Sequence, residues 1–239
     1  MQQTRTEKRL RRGIHGQIVE EIGNRVVRGD WGPGEKLPDE TVLSKDLEVS
    51  RTVVREALKV LSEKGLIYAR PRIGTRVAPS QDWNHLDPDI LKWTFGNGPS
   101  KKNADDLIEL RLMVEPIATK LAAIRRSEEE LAQLKQAFRD MENAGDNVEA
   151  GIEPDIRFHR IILKSSGNRM LAPLGYSIET ALAASFRMSN SVPGTPAESL
   201  ARHEVVLNAI ARQDDEAAES AMRNLIDKAQ IAIFLMIEG

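Results

Sequence analysis

Beyond Ala78 no stretch of the sequence alternates apolar with polar residues; apolar positions recur instead every three or four residues. That is the period of helices with one buried stripe, and a chain so patterned cannot build a sheet of any size there. Helices are predicted over about 88–96, 103–125, 127–144, 148–165, 168–190, 197–212 and 214–237. The breaks between them read GNGPS, RRS, NAGDN, SSGN and SVPGTP. Connections this short make neighbouring helices antiparallel, so residues 88–239 should form an all-α bundle of six or seven helices.

The first 78 residues follow another plan. Ile14, Ile18, Ile22 and Val26 stripe a helix from Gly13 to Arg28, which GDWGPG ends. Asp39 can cap a second, short helix with Leu43 and Leu47 on its inner face. Ser50 can cap a third, Arg51 to Lys64, with Val54, Leu58 and Leu61 inward, and Gly65 stops it. Two extended pieces, Leu66–Arg70 and Thr75–Ala78, then flank PRIG. Helix, helix, turn, helix and hairpin make a winged helix-turn-helix. Residues 79–87, largely PSQDWNHL, carry no period and read as a linker. The fold class is therefore mainly α, with a winged head and a helical body.

Charge separates the same two parts. The formal charge is −2, but residues 1–80 hold 16 Lys and Arg against 11 Asp and Glu, and the remainder 18 against 25. A polyanion should meet the head and avoid the body. The chain has no cysteine, which excludes disulfides, thiolate metal sites and thiol nucleophiles, so any metal must use N and O ligands. No apolar run reaches the ~20 residues that span a bilayer, and the N-terminus lacks the apolar core of a secretory signal. A cytoplasmic protein without a membrane partner is expected.

In the head, Ser50, Arg51, Thr52 and Arg55 occupy the first turns of the third helix, opposite its apolar side. An arginine there can donate two hydrogen bonds to guanine in the major groove, while Arg70, Arg72 and Arg76 flank the hairpin. The competing reading is a solvated basic face. The stretch LPDETVLSKDLEVSRTVVREALKVLSEKGLIYARPRIGTRVAP resembles the DNA-binding domain of the GntR family of bacterial transcriptional regulators. The resemblance implies DNA contacts from Thr41, Ser50, Arg51, Thr52, Arg55, Arg72 and Gly74. Position 41 is often arginine in that family and is threonine here, and the wing reads RPRIGT where many relatives have RRGRGT.

In the body, Arg111 lies among Leu107, Leu110, Val114, Ile117 and Leu121, and Pro116 should bend that helix. An arginine so placed either snorkels to solvent or faces an anion inside the bundle. Asp155 and His159 share a helix face at i, i+4, and His203 lies on a later helix. One carboxylate and two imidazoles form a facial set that Zn, Ni, Mn or Fe(II) can occupy; a local hydrogen bond plus an unrelated histidine is the alternative. ELRLMVEP, DIRFH, SSGNRML and RHEVVLNAIARQDDEAAESAM resemble the C-terminal FCD domain of the FadR subgroup of GntR regulators, closest to sugar-acid regulators of the galactonate type.

That resemblance implies a divalent metal, zinc first, on Asp155, His159 and His203, with the family's fourth ligand replaced by Leu225. It also implies a small carboxylate effector on Arg111, with Arg187 a further candidate. The expected function is a homodimeric repressor on double-stranded, pseudo-palindromic operator DNA, released by the effector. A metal-dependent hydrolase using Asp155, His159 and His203, and an architectural DNA-binding protein without effector, are the alternatives.

Overall fold

Three apolar helical stripes and a short hairpin close the first core. In the computed structural model the described residues are 2–96, 98, 100–190 and 195–238. They divide into two compact units between residues 97 and 98. The first contains α1 (Gln2–Arg28), α2 (Glu40–Asp46), α3 (Arg51–Glu63), β1 (Ile67–Arg70), β2 (Gly74–Val77) and α4 (Pro88–Gly96). Ile18, Ile22 and Val26 of α1 bury against Leu43 of α2 and Val54, Leu58 and Leu61 of α3, while Ile14 stays 41% exposed. β1 and β2 pair antiparallel, with Ile67 opposite Val77 and Arg70 opposite Gly74. Gly65 takes φ +79 and lets Leu66 N–H return to the Leu61 carbonyl at 3.1 Å, which ends α3.

Three expectations are corrected here. Asp39 stands at the N-cap position of α2 but makes no capping bond; its carboxylate instead pairs with Lys36 Nζ at 2.9 Å. The stretch 79–87 is tied to the head rather than free. Trp83 donates to the Ala78 carbonyl at 3.0 Å and Lys64 Nζ meets Asp87 at 2.8 Å. Finally, α4 belongs with the first unit: Ile90 and Trp93 enter its core, and Trp93 lies so close over Gly23 of α1 that a Cβ there would fall within the indole. The boundary expected at 88 therefore lies about ten residues later.

The second unit contains six helices among the described residues: α5 (Lys101–Arg125), α6 (Glu128–Ala144), α7 (Val148–Ser165), α8 (Leu171–Asn190), α9 (Thr195–Ala211) and α10 (Asp215–Glu238). Caps fix several starts. Ser127 and Glu130 form a reciprocal capping box on α6, and Ser100 and Asn147 each accept an N–H from the first turn of α5 and α7. α8 begins at 171 rather than 168 because Asn168 Oδ1 takes the Met170 N–H in a local turn at 3.0 Å. α5 and α10 run antiparallel: Lys120, late in α5, pairs with Asp215, Glu216 and Glu219 at the start of α10, and Lys101 lies over Phe234 near its end. α5 passes unbroken through Pro116. The predicted break SVPGTP falls mostly on 191–194, and part of GNGPS on 97 and 99, all outside the described residues. No helix of the described residues is long and apolar enough to cross a membrane.

Candidate functional site

Four helices of the second unit turn polar side chains into one buried cluster. Asp155 and His159 come from α7, His203 from α9, Arg111 and Glu115 from α5, and Ser185 from α8; all are at most 5% exposed. The i, i+4 spacing in DIRFH places Asp155 above His159. Phe158, fully buried beside them, meets the two imidazoles edge to face at ring separations of 5.9 and 5.2 Å and so fixes their planes.

The ring nitrogens then have assigned roles. His203 Nδ1 lies 2.8 Å from the Ser199 carbonyl, a pure acceptor, so Nδ1 carries the hydrogen. His159 Nδ1 lies 2.6 Å from Glu115 Oε2, bent away from good hydrogen-bond geometry, and neither atom has another partner. Both Nε2 atoms are left pointing inward. They are 3.4 Å apart, and they lie 3.0 Å (His203) and 3.8 Å (His159) from Asp155 Oδ1. One ligand atom from each residue falls within 4.8 Å of the others, a grouping that could hold a metal ion.

Arg111 closes the cluster on the α5 side. Its Nε donates to Glu115 Oε1 at 2.7 Å and one Nη to Ser185 Oγ at 3.4 Å. Burial pushes the Glu115 carboxyl up, yet Arg111 and His159 together outweigh it and hold it down at about 2. Asp155 is likewise raised by burial and held below its ordinary value by His203, His159 and Arg111. Arg111 does not snorkel; at 5% exposure its guanidinium stays inside the bundle. The chamber between these groups is also lined by Ser189, Arg202, Lys228 and Leu225, and its free volume is about 20 Å³. Leu225 offers that wall no ligand atom.

Arg187 is placed elsewhere. It does not line the chamber, and its guanidinium pairs with Glu149 at 2.7 Å on a half-exposed surface, where its charge is already matched. Sequence reasoning missed Glu115, although its i+4 spacing from Arg111 was a usable sign. It also missed Ser185 and Lys228, which carried none.

In the head, Ser50 Oγ accepts the Val53 N–H at 3.4 Å as the cap of α3. Arg51 and Thr52 are exposed on its first turn, and Thr41 is exposed on α2. Arg55 is also exposed, but it is gripped by Glu40 of α2 through Nε and Nη contacts of 2.8–3.2 Å. The hairpin tip carries Arg72 at φ +67 and Gly74 at φ +82, where a Cβ would meet the Lys36 side chain at 2.7 Å. The start of α2, the first turns of α3 and the hairpin tip thus carry the expected contact residues, all exposed except the half-buried Gly74.

A winged helix-turn-helix preceding an all-α unit with an enclosed polar cluster defines a two-part transcription regulator. Residues 14–77 match the family described as bacterial regulatory proteins, gntR family, and residues 106–228 match the FCD domain. The chain belongs to the GntR family, in the subgroup whose C-terminal part is an FCD domain. It is 34% identical over 211 residues to the galactonate operon transcriptional repressor of Escherichia coli (strain K12), covering 88% of this chain and 92% of that protein. It is 33% identical over 211 residues to the HTH-type transcriptional regulator YieP of the same organism, covering 87% and 90%. Lar of Listeria monocytogenes, a solved structure 16% identical, shares the fold with a TM-score of 0.67 over 92% of this chain and 96% of that one. The family and these relatives are transcription factors, which leaves the hydrolase alternative without support.

Proposed function

We propose that the chain is a dimeric repressor whose body holds a divalent metal, zinc first, on Asp155, His159 and His203 and binds a small carboxylate between that metal and Arg111. The observation that carries this reading is the inward meeting of three ligand-type atoms. With the two Nδ1 atoms turned to Ser199 and Glu115, both Nε2 atoms and a carboxylate oxygen of Asp155 face one another inside the bundle. A cation there would take one donor atom from each, and the Glu115 and Ser199 contacts stand where outer-shell partners orient ligating imidazoles. Three protein ligands leave coordination positions for solvent or effector, which Leu225 cannot take. The metal would supply a positive charge at which a carboxylate oxygen binds; Arg111 would orient the other.

One contact favours a second reading. Asp155 and His203 at 3.0 Å suit a proton as well as a metal, leaving an imidazolium–carboxylate pair and a metal-free anion site. Elemental analysis of purified protein decides between them. One zinc per chain, lost in His159→Ala, is expected; stoichiometric absence after incubation with zinc assigns the site to the proton.

In the head, Ser50, Arg51, Thr52 and Arg55 would enter the major groove, with Thr41, Arg72 and Gly74 beside the backbone. One head covers a half-site, so a pseudo-palindromic operator calls for two. Effector binding must favour one arrangement of the heads to change DNA affinity at all. Fluorescence anisotropy on the chain's own promoter DNA should give nanomolar-range binding that a metal-site variant keeps but no longer adjusts to effector. Equal affinity for random DNA would defeat the proposal.

A further inference from the structure

We infer that the effector carries an apolar group beside its carboxylate, of the size of a phenyl or short branched alkyl group, and that this group sits in a second chamber next to the metal-type site. The inference rests on the carboxylate reading above and names the class of acid.

The first chamber has a free volume of about 20 Å³, little more than the space of one carboxylate oxygen beside a cation seated among its ligands. The body of any effector must extend out of it. A second chamber of about 120 Å³ adjoins, and Phe186 and Ser199 line both. Phe186 stands where the two meet. Its ring rests against Gly151 of α7, where a Cβ would lie 3.0 Å from the ring edge.

The second chamber is lined by the side chains of Met141, Val148, Phe186, Pro196, Ala197 and Leu200. Of its polar neighbours, Asn147 Oδ1 takes the Ala150 N–H at 3.1 Å, and the Ser199 carbonyl takes His203 Nδ1 at 2.8 Å. The remaining charged group, Asp146, is exposed and would repel an acid. A ligand therefore lies one way round: carboxylate toward Arg111 and the ligand triad, apolar end toward Met141 and Leu200.

Size and polarity then select the class. An apolar protein cavity of about 150 Å³ accommodates benzene, so 120 Å³ takes four to six apolar carbons. A polyhydroxylated sugar acid is served less well, because Met141, Val148, Phe186, Pro196 and Leu200 offer its hydroxyls no hydrogen-bond partner. An aryl or alkyl group makes no such demand.

The test is calorimetric titration of the full chain, incubated with zinc, against 3-phenylpropionate, acetate and gluconate. 3-Phenylpropionate should bind roughly tenfold or more tighter than acetate, the gain expected for burying a ring, with gluconate no better than acetate. Ala197→Phe, at an exposed wall position, should fill the chamber and erase that advantage while leaving acetate affinity unchanged; Val148→Phe is the second filling variant. Gluconate binding tighter than 3-phenylpropionate, or an advantage that survives both fillings, overturns the inference while the carboxylate site stands. Failure of all three acids to bind removes the carboxylate reading itself, and this inference with it.

Discussion

Glu115 accepts from Arg111 with one carboxylate oxygen and meets His159 with the other, so it neutralises a buried cation and stands against an imidazole at once. Glu115→Gln keeps the shape and removes the charge. Arg111 would then lose its hydrogen-bonded counter-ion and keep only the more distant Asp155, and chemical denaturation should show a loss of about 3–5 kcal/mol. The same variant should weaken zinc affinity by roughly 10- to 100-fold, as loss of an outer-shell partner does. A zinc affinity equal to wild type would show that Glu115 acts on Arg111 alone. Arg51 is the corresponding residue of the head, exposed and holding no hydrogen bond in the described structure. Arg51→Ala should cost roughly 1–3 kcal/mol of operator preference over random DNA if it reads a guanine. An unchanged preference with weaker overall binding would make it a phosphate contact.

At the scale of elements, the caps and close approaches are the sensitive points. Ser127→Ala removes one half of the capping box on α6 and should lower the stability of the helical unit by about 1 kcal/mol in urea denaturation. Gly23→Val would drive a branched side chain into Trp93, with an expected loss of about 1–3 kcal/mol for the head. A neutral result would mean that α4 leaves α1 readily. These two positions also show what sequence pattern can and cannot reach. Ser127, Ser50 and the stripes through Leu43, Val54 and Leu61 were legible because the helical period and cap chemistry are local rules. The packing of Trp93 on Gly23 was not, since the partners are seventy residues apart and glycine carries no apolar mark. The cluster of Asp155, His159 and His203 was half legible: the i, i+4 pair follows from spacing, whereas the meeting of α7 with α9 and with Glu115 of α5 is tertiary. Arg187 misled because charge alone does not reveal a satisfied surface partner such as Glu149.

At the scale of the whole molecule, two separately cored units imply separate responses to ligand. Differential scanning calorimetry should resolve two unfolding transitions, and zinc should raise only that of the helical unit, by about 2.7 kcal/mol at a hundredfold excess over its dissociation constant. A shift of both transitions together would show that the units melt as one. The shared carboxylate of Glu115 adds a further consequence. An acid that draws Arg111 toward itself loosens the grip on one oxygen of Glu115 and frees that charge for His159, just as a bound cation strengthens the opposite pull. Linkage makes the influence mutual, so each guest improves the welcome for the other. The regulator would then answer to the conjunction of ion and metabolite, a logical AND written into a single side chain.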